Sequence, residues 1–258
     1  MAATATTPAS GVLTQRLGDV LVITLQREAK RNAIDRALAD ALDAALNTLE
    51  DSPELRAGVL TGGTQVFSAG SDLASRGDYV TERGGEYGLI RRRRAKPLIA
   101  AVEGAALGGG LEIVLACDLV VAARNARFGL PEVVRGVLPT CGALFRALQV
   151  LPPNVARELV LTGEPLDAER AHAAGLVNRL VEPGQALAQA LAMAQRIATN
   201  APLSVQASLK AMNGWLGTDD ALGWAATEQA LAEIRGSDDL QEGIRAFFER
   251  RAPVWKGR

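Results

Sequence analysis

The chain has 258 residues, which fits one large domain or a domain with a small appendage. Hydrophobic residues make up 48% of it, enough for a sizeable core, and a formal net charge of −1 argues against nucleic-acid binding. Two cysteines, Cys117 and Cys141, are too few for a disulfide framework and fit a reducing compartment. Residues 1–10 lack the features of a signal peptide, and no apolar run reaches membrane-spanning length. We therefore predict a cytoplasmic protein with a disordered tail at residues 1–10.

The first hundred residues alternate strand and helix patterns. Residues 20–25 (VLVITL) strongly favour a strand, and residues 58–61 and 98–102 favour two more. Asp35 suits the N-cap of a helix over residues 36–50, because Leu38, Leu42 and Leu46 recur after it at helical spacing. A further strand is predicted at residues 119–122. This alternation indicates an α/β fold.

The stretch from residue 96 to residue 132 carries the residues that indicate chemistry. Gly108, Gly109 and Gly110 follow an apolar strand and precede a helix-forming run at residues 111–116. Glycine lets a backbone approach a ligand closely, because no Cβ intervenes. The unpaired N–H groups at a helix start can hold an anion, or an oxygen that becomes anionic during a reaction.

Two glutamates in this stretch lie in apolar surroundings. Glu112 comes two residues after the last glycine, next to Leu111, and Glu132 lies between Pro131 and Val133. A buried carboxylate is costly unless it has a partner or a function, so the pair points to acid–base catalysis. From the residues alone a second interpretation stays open: the glycines could serve helix–strand packing, and Glu112 could only favour the helix dipole.

These motifs resemble the enoyl-CoA hydratase/isomerase family, the crotonases. The resemblance rests on KPLIAAVEGAALGGGLE, ACDLVVAARNARFGLPE, GVLTGGTQVFSAGSDL and LTGEPLDAERAHAAGLVNRLVEP, which keep the family's order and spacing. It extends from about residue 12 onward. It implies a crotonase-like spiral of ββα units at residues 11–183, not a doubly wound sheet, and a C-terminal helical trimerisation region at residues 184–258. A homotrimer or a dimer of trimers is expected.

The resemblance also implies roles for individual residues. The N–H groups of Ser71 and Gly109 would form an oxyanion hole for a thioester oxygen, with Glu112 as base and Glu132 as proton donor. The acyl-CoA substrate would contact further residues, namely Ala69, Asp72, Leu73, Gly108 and Thr140. This implies a hydro-lyase, an enoyl-CoA hydratase, that needs no metal and no cofactor because coenzyme A is part of the substrate. Two residues depart from the common pattern: Ser71 replaces alanine, and Thr140 replaces a glycine and narrows the pocket.

Alternatives to hydration of a simple 2-enoyl-CoA stay open. The ending PVWKGR and the phrases FSAGSDL and LVNRLVEP are similar to carnitinyl-CoA dehydratases, whose acyl group carries a trimethylammonium. Acidic or aromatic residues would have to hold that cation; candidates by spacing are Glu82, Glu86, Tyr79 and Tyr87. An enoyl-CoA isomerase is a further alternative. A non-catalytic acyl-CoA-binding scaffold would predict a lost glutamate or a broken glycine run, and the sequence has neither.

Other features carry less functional information. The arginines at residues 91–94 are interpreted as a solvated helix face, with contacts to CoA phosphates or a neighbouring subunit as the alternative. The only histidine, His172, on a helix over residues 167–174, is interpreted as a surface or packing residue. No G-x-S-x-G elbow surrounds Ser71, and no phosphate-binding glycine motif indicates nucleoside triphosphates or NAD. After a last strand at 177–181, helices are predicted at 184–199, 202–213, 219–235 and 238–250, the last with Asp238 and Gln241 spaced like a capping box.

Overall fold

A computed structural model describes residues 11–75, 79–217 and 220–257. Within those residues the strands are β1 (Val12–Leu17), β2 (Val20–Leu25), β3 (Ala57–Thr61), β4 (Val80–Thr81), β5 (Gly85–Glu86), β6 (Leu98–Val102), β7 (Ala105–Leu107), β8 (Leu119–Ala123), β9 (Arg127–Gly129), β10 (Leu166–Asp167) and β11 (Arg179–Val181). The helices of the same residues are α1 (Arg36–Asp51), α2 (Gly109–Leu115), α3 (Ala143–Val150), α4 (Pro153–Thr162), α5 (Ala168–Ala173), α6 (Ala186–Ala198), α7 (Pro202–Leu216), α8 (Asp220–Ile234) and α9 (Asp238–Glu249). Short 3-10 helices lie at Glu28–Lys30 and Pro131–Arg135. The predicted tail at residues 1–10 and the predicted helix start at Asp219 lie outside the described residues.

The described strands form a large sheet, a small sheet and the two-stranded hairpin β4–β5. The large sheet has the order β1-β2-β3-β6-β8-β11; β1 pairs antiparallel with β2, and the other pairs are parallel. The small sheet has the order β10-β9-β7, with β7 and β9 parallel. Strands β3 and β6 are buried along their whole length, as continuous apolar runs in a parallel sheet should be.

Both faces of the large sheet are covered, and alternate residues of one strand serve opposite faces. In β6, Ala100 packs into the cluster that contains the leucines of α1, whereas Ile99 packs into the cluster under α6. Helix α6 approaches the sheet closely because its buried stripe consists of alanines, including Ala190 and Ala194. This contact joins residues C-terminal of 184 to the sheet, so the predicted division at residue 184 stays a prediction.

Two successive ββα units build the centre of the molecule. The first runs β6–β7–α2 and the second runs β8–β9 and then the 3-10 helix Pro131–Arg135. Each unit gives its first strand to the large sheet and its second strand to the small sheet. The chain therefore winds as a spiral of ββα units and is not doubly wound.

Element prediction succeeded best where the apolar pattern was long. The predicted strands at 20–25 and 98–102 are confirmed, and Asp35 caps α1 by accepting a hydrogen bond from the Leu38 N–H at 2.9 Å. The short strands of the small sheet, β1, α3 and α4 were not predicted. The capping box at Asp238 is wrong: Ser237 is the N-cap of α9, because its extended backbone lets Oγ accept from the Leu240 N–H at 3.0 Å.

The interpretation of residues 91–94 as a solvated helix face is also wrong. These residues lie in no helix. Arg92 pairs with Asp43 and Arg94 pairs with Asp118, and the two arginine side chains are only 2% and 6% exposed. The run therefore ties this segment to α1 and to the start of β8. The Arg91 side chain is half-exposed and pairs with Glu86.

Asn32 is a buried residue that holds the loop leading to Ser71. Its Nδ2 lies 2.8, 3.0 and 3.1 Å from the carbonyl oxygens of Gly62, Val66 and Phe67, and its Oδ1 accepts from the Arg27 N–H at 2.8 Å. Its φ of 51° lies in the left-handed region, which asparagine tolerates better than most residues. No sequence pattern had singled it out.

We expect Asn32→Asp to lower the free energy of unfolding by about 3 kcal/mol or more, because a carboxylate would face three carbonyl oxygens and donate to none. Urea unfolding measures the change. Asn200→Asp, at an exposed position, is the matched control and should change it by less than about 0.5 kcal/mol. Equal urea midpoints for the two variants would show that the amide does not anchor the loop.

Candidate active site

The site begins where two parallel strands of the small sheet end. Leu107 at the end of β7 pairs with Gly129 at the end of β9, and the Gly108 N–H donates to the Gly129 carbonyl at 2.8 Å. From this common edge the first chain segment enters α2 and the second enters the 3-10 helix. Glu112 and Glu132 follow within a few residues, so the strand register brings together two carboxylates that are twenty residues apart.

Glu112 is held by the turn that precedes α3. Its side chain is buried, and its Oε1 accepts hydrogen bonds from the N–H groups of Cys141 at 2.7 Å and Ala143 at 3.2 Å. Thr140, predicted as a substrate contact, is half-buried next to this turn. The two backbone donors were not predicted from the sequence, because every residue except proline carries a backbone N–H group.

Glu132 lies against the glycine run. Its Oε2 is buried and makes no hydrogen bond with a described residue. A Cβ added at Gly108, where φ is +55°, would lie 3.1 Å from Glu132 Oε1. Gly108 therefore leaves room for the Glu132 carboxylate. Its predicted contact with the substrate stays a prediction.

The predicted oxyanion donors lie on two backbone segments in close contact. A Cβ added at Gly70 would come within 2.9 Å of the Gly109 nitrogen, so the loop before Ser71 lies directly against the start of α2. Gly109 is the first residue of α2, outside the intrahelical hydrogen-bond ladder. Among the described residues, neither the Ser71 N–H nor the Gly109 N–H has an acceptor. Both are thus available to a ligand oxygen.

Tyr87 fixes the Ser71 side chain. Its Oη lies 2.7 Å from Ser71 Oγ, its ring stacks on Tyr79 with centroids 4.8 Å apart, and burial raises the pKa of its hydroxyl well above the usual value. A Cβ at Gly109 would lie 2.4 Å from the same Oη, so Tyr87 also backs the glycine run. Tyr87 had been a candidate for holding a cationic acyl group; the structure instead places it behind the two donors.

The remaining predicted residues have varied surroundings. Ala69 donates its N–H to the Arg31 carbonyl at 2.9 Å, and Leu73 is 48% exposed. The Asp72 carboxylate pairs with Arg27 at 2.7 Å, which lowers its pKa and gives it a structural partner. His172 lies away from both glutamates, and its Nδ1 donates to the Val177 carbonyl at 2.6 Å.

Residues 11–75, 79–217 and 220–257 contain no group of three or more His, Cys, Asp or Glu side chains placed to hold a metal ion. No helix in these ranges is long and apolar enough to cross a membrane.

The whole chain is similar to known proteins. The family described as "Enoyl-CoA hydratase/isomerase" matches residues 15–258. The chain belongs to this family.

A mevalonyl-coenzyme A hydratase of Aspergillus fumigatus is 39% identical over 247 residues, covering 92% of this chain and 91% of its own. A 2,3-dehydroadipyl-CoA hydratase of Escherichia coli is 37% identical over 254 residues, covering 96% and 100%. The crystal structure of a carnitinyl-CoA hydratase from Mycobacterium avium matches with a TM-score of 0.91 at 43% identity, covering 97% and 100%. The predicted crotonase family and fold are confirmed.

In this crotonase both glutamates bind protons more tightly than ordinary carboxyls. Burial is the main cause that raises the pKa of Glu112 to about 7, against the opposing hydrogen bonds from Ala143 and Cys141. Burial, followed by the charge of Glu112, raises the pKa of Glu132 to about 7. The pair is coupled, so near neutral pH one carboxyl can hold a proton while the other is ionised.

We expect Glu132→Gln to raise the Tm at about pH 8 by roughly 3 °C or more and to leave it nearly unchanged at about pH 5. The raised pKa means that the folded protein keeps the proton up to about pH 7, whereas the unfolded chain releases it near its ordinary value of 4.5. Wild-type stability therefore falls between those pH values, and removal of the charge restores it. Thermal unfolding at both pH values measures the effect.

Glu82→Gln is the control for this measurement, since Glu82 is exposed and outside the site. It should change the Tm at neither pH. If Glu132→Gln lowered the Tm at about pH 8, Glu132 would be a structural residue with a stabilising partner in the folded protein.

Proposed function

We propose that the chain is an enoyl-CoA hydratase, a hydro-lyase that adds water reversibly to a 2-enoyl-CoA thioester. The observation that carries this proposal is the coupled pair Glu112 and Glu132, each with a pKa raised to about 7, beside two backbone N–H groups without acceptors. The relatives named above are hydratases of CoA thioesters, which supports the same chemistry here.

The N–H groups of Ser71 and Gly109 bind the thioester oxygen. When the water oxygen bonds to C3, electrons move through the conjugated system and negative charge gathers on this oxygen as an enolate. Donors fixed in advance stabilise that charge, and each is typically worth about 10²–10³ in rate. The hydrogen bond between Tyr87 and Ser71 and the packing of Tyr87 against Gly109 keep both donors in place.

The two glutamates move the protons. Ionised Glu112 takes one proton from the water as its oxygen bonds to C3, and protonated Glu132 gives its proton to C2. Proton exchange within the pair and with solvent returns a proton to Glu132 before the next turnover. The reaction consumes only water and the thioester, and it needs neither a metal ion nor a cofactor beyond the coenzyme A of the substrate.

We expect Glu112→Gln and Glu132→Gln each to lower kcat for crotonyl-CoA by about 10²–10⁴, because each removes an acid–base group. The wild-type kcat/KM should be bell-shaped with its maximum near pH 7, since protonation of Glu112 lowers it below about 7 and ionisation of Glu132 lowers it above about 7. Loss of the conjugated thioester absorbance measures both. Glu82→Gln serves as control, and near-normal turnover by Glu132→Gln would refute the mechanism.

A carnitinyl-CoA dehydratase is the second candidate, favoured by the similarity to the Mycobacterium avium structure. The candidates for holding its cation are less favourable than their spacing suggested. Glu82 is exposed, and Tyr87 is hydrogen-bonded to Ser71. The Glu86 carboxylate accepts a hydrogen bond from Arg91. Isomerisation has no observation in its favour beyond the family. The scaffold alternative conflicts with two intact glutamates in a formed site.

We also propose that the chain assembles as a homotrimer or a dimer of trimers. Large apolar side chains on the C-terminal helices are strongly exposed: Leu203 by 79%, Trp215 by 81% and Leu222 by 71%. Such surfaces are typical of subunit contacts. Light scattering after size exclusion should give three or six times the chain mass of 27.1 kDa. A monomer at micromolar concentration would contradict this. A cytoplasmic location stays a prediction from the sequence.

A further inference from the structure

A cavity of about 340 Å³ lies between the turn that holds Glu112 and helix α8. Its inner wall includes Cys141, whose N–H binds Glu112, and Tyr79, which stacks on the tyrosine that holds Ser71. Its outer wall is formed by Glu86, Arg91 and Trp224. An acyl chain whose thioester lies in the proposed oxyanion hole would run along this cavity with its far end at the outer wall.

The outer wall has the parts from which a cation site is usually built. A quaternary ammonium group is held by an aromatic face and a nearby negative charge. Trp224 provides the aromatic face, and the Glu86 carboxylate, whose side chain is 14% exposed, provides the charge. Neither is free in this chain, because the Arg91 side chain occupies both.

Arg91 fills this place in two ways. Its Cζ lies 3.8 Å from the centroid of the Trp224 ring, so the guanidinium covers the aromatic face. Its Nε lies 3.1 Å from both carboxylate oxygens of Glu86. The two Nη groups make no hydrogen bond with another described residue and remain as donors. The Arg91 guanidinium therefore occupies the position between Trp224 and Glu86 in which a bound quaternary ammonium group would have to lie.

We propose that Arg91 is the residue that sets acyl specificity: it excludes acyl groups ending in a quaternary ammonium and favours those ending in a hydrogen-bond acceptor, a carboxylate above all. This inference rests on the proposed hydratase function and names the substrate class of that site. A carboxylate or hydroxyl at the acyl end would accept from the Nη groups, whereas a trimethylammonium group would meet the guanidinium charge.

The segment is built to hold Arg91 there. A Cβ at Gly85 would lie 2.7 Å from Arg91 Cβ, so the β4–β5 hairpin packs against the stem of this side chain. Arg146 donates to the Ile90 carbonyl at 2.7 Å and adds a second positive charge near the wall. Glu228 lies on the solvent side of the cavity and is exposed, so water screens its charge. The charged side chains of this outer wall are thus the half-exposed Arg91 and its partner Glu86.

The test measures kcat/KM with three 2-enoyl-CoA thioesters whose acyl groups end in a methyl, a carboxylate or a trimethylammonium group. Wild type should prefer the carboxylate and be slowest with the trimethylammonium compound. Arg91→Ala should lower kcat/KM for the carboxylate by about 10- to 100-fold, raise it for the trimethylammonium compound by about 3- to 30-fold, and change the methyl compound little. Arg91→Lys keeps the charge and should keep the order of preference.

Arg93→Ala is the matched control, because Arg93 is exposed and does not line the cavity. It should change each kcat/KM by less than about twofold. If Arg91→Ala and Arg93→Ala gave the same three ratios, or if wild type preferred the trimethylammonium compound, the specificity role of Arg91 would be overturned while the hydratase proposal stood. If wild type hydrated none of the three, the proposed function itself would fall, and with it this inference.

Discussion

The site depends on the register of two three-residue strands. Because Leu107 pairs with Gly129 in parallel, the chain leaves β7 and β9 at one edge, and the hydrogen bond from the Gly108 N–H to the Gly129 carbonyl locks the two exits together. A slip by one residue would turn the side chains of one strand to the other face of the sheet and displace the glutamate-bearing segment that follows it. The ββα spiral thus brings Glu112, Glu132 and the first residues of α2 close together.

The same arrangement opposes stability. Two carboxyls share a buried region, and one oxygen of Glu132 has no partner among the described residues; the charge of Glu112 adds to the cost of desolvating Glu132. The folded frame offsets this cost: Asn32 holds the loop that leads to Ser71, and α6 packs its alanines against the large sheet. Strain of this kind fits a catalytic role better than a structural one.

Long periodic patterns made much of this predictable. The leucines of α1, the apolar runs of β2 and β6 and the glycine run before Glu112 carried their own signals, and the resemblance to the crotonases placed Ser71 and Gly109. The small-sheet strands are too short to show a period. The donors that orient Glu112 are backbone groups of Cys141 and Ala143, and any residue but proline supplies them. Asn32 escaped notice because its partners, the carbonyls at residues 62–67, are fixed by tertiary structure.

Chemistry and specificity occupy different parts of the chain. The groups that we propose to react lie on α2, on the 3-10 helix Pro131–Arg135 and in the loop before Ser71. The end of the acyl cavity is formed by the β4–β5 hairpin, Arg91 and helix α8, which lie outside both sheets that carry the reacting groups. A substitution at Arg91 or Trp224 can therefore alter the acyl group that fits without moving Glu112 or Glu132. In the proposed function one frame can thus serve different acyl groups, and the relatives reported above are named for mevalonyl, dehydroadipyl and carnitinyl thioesters.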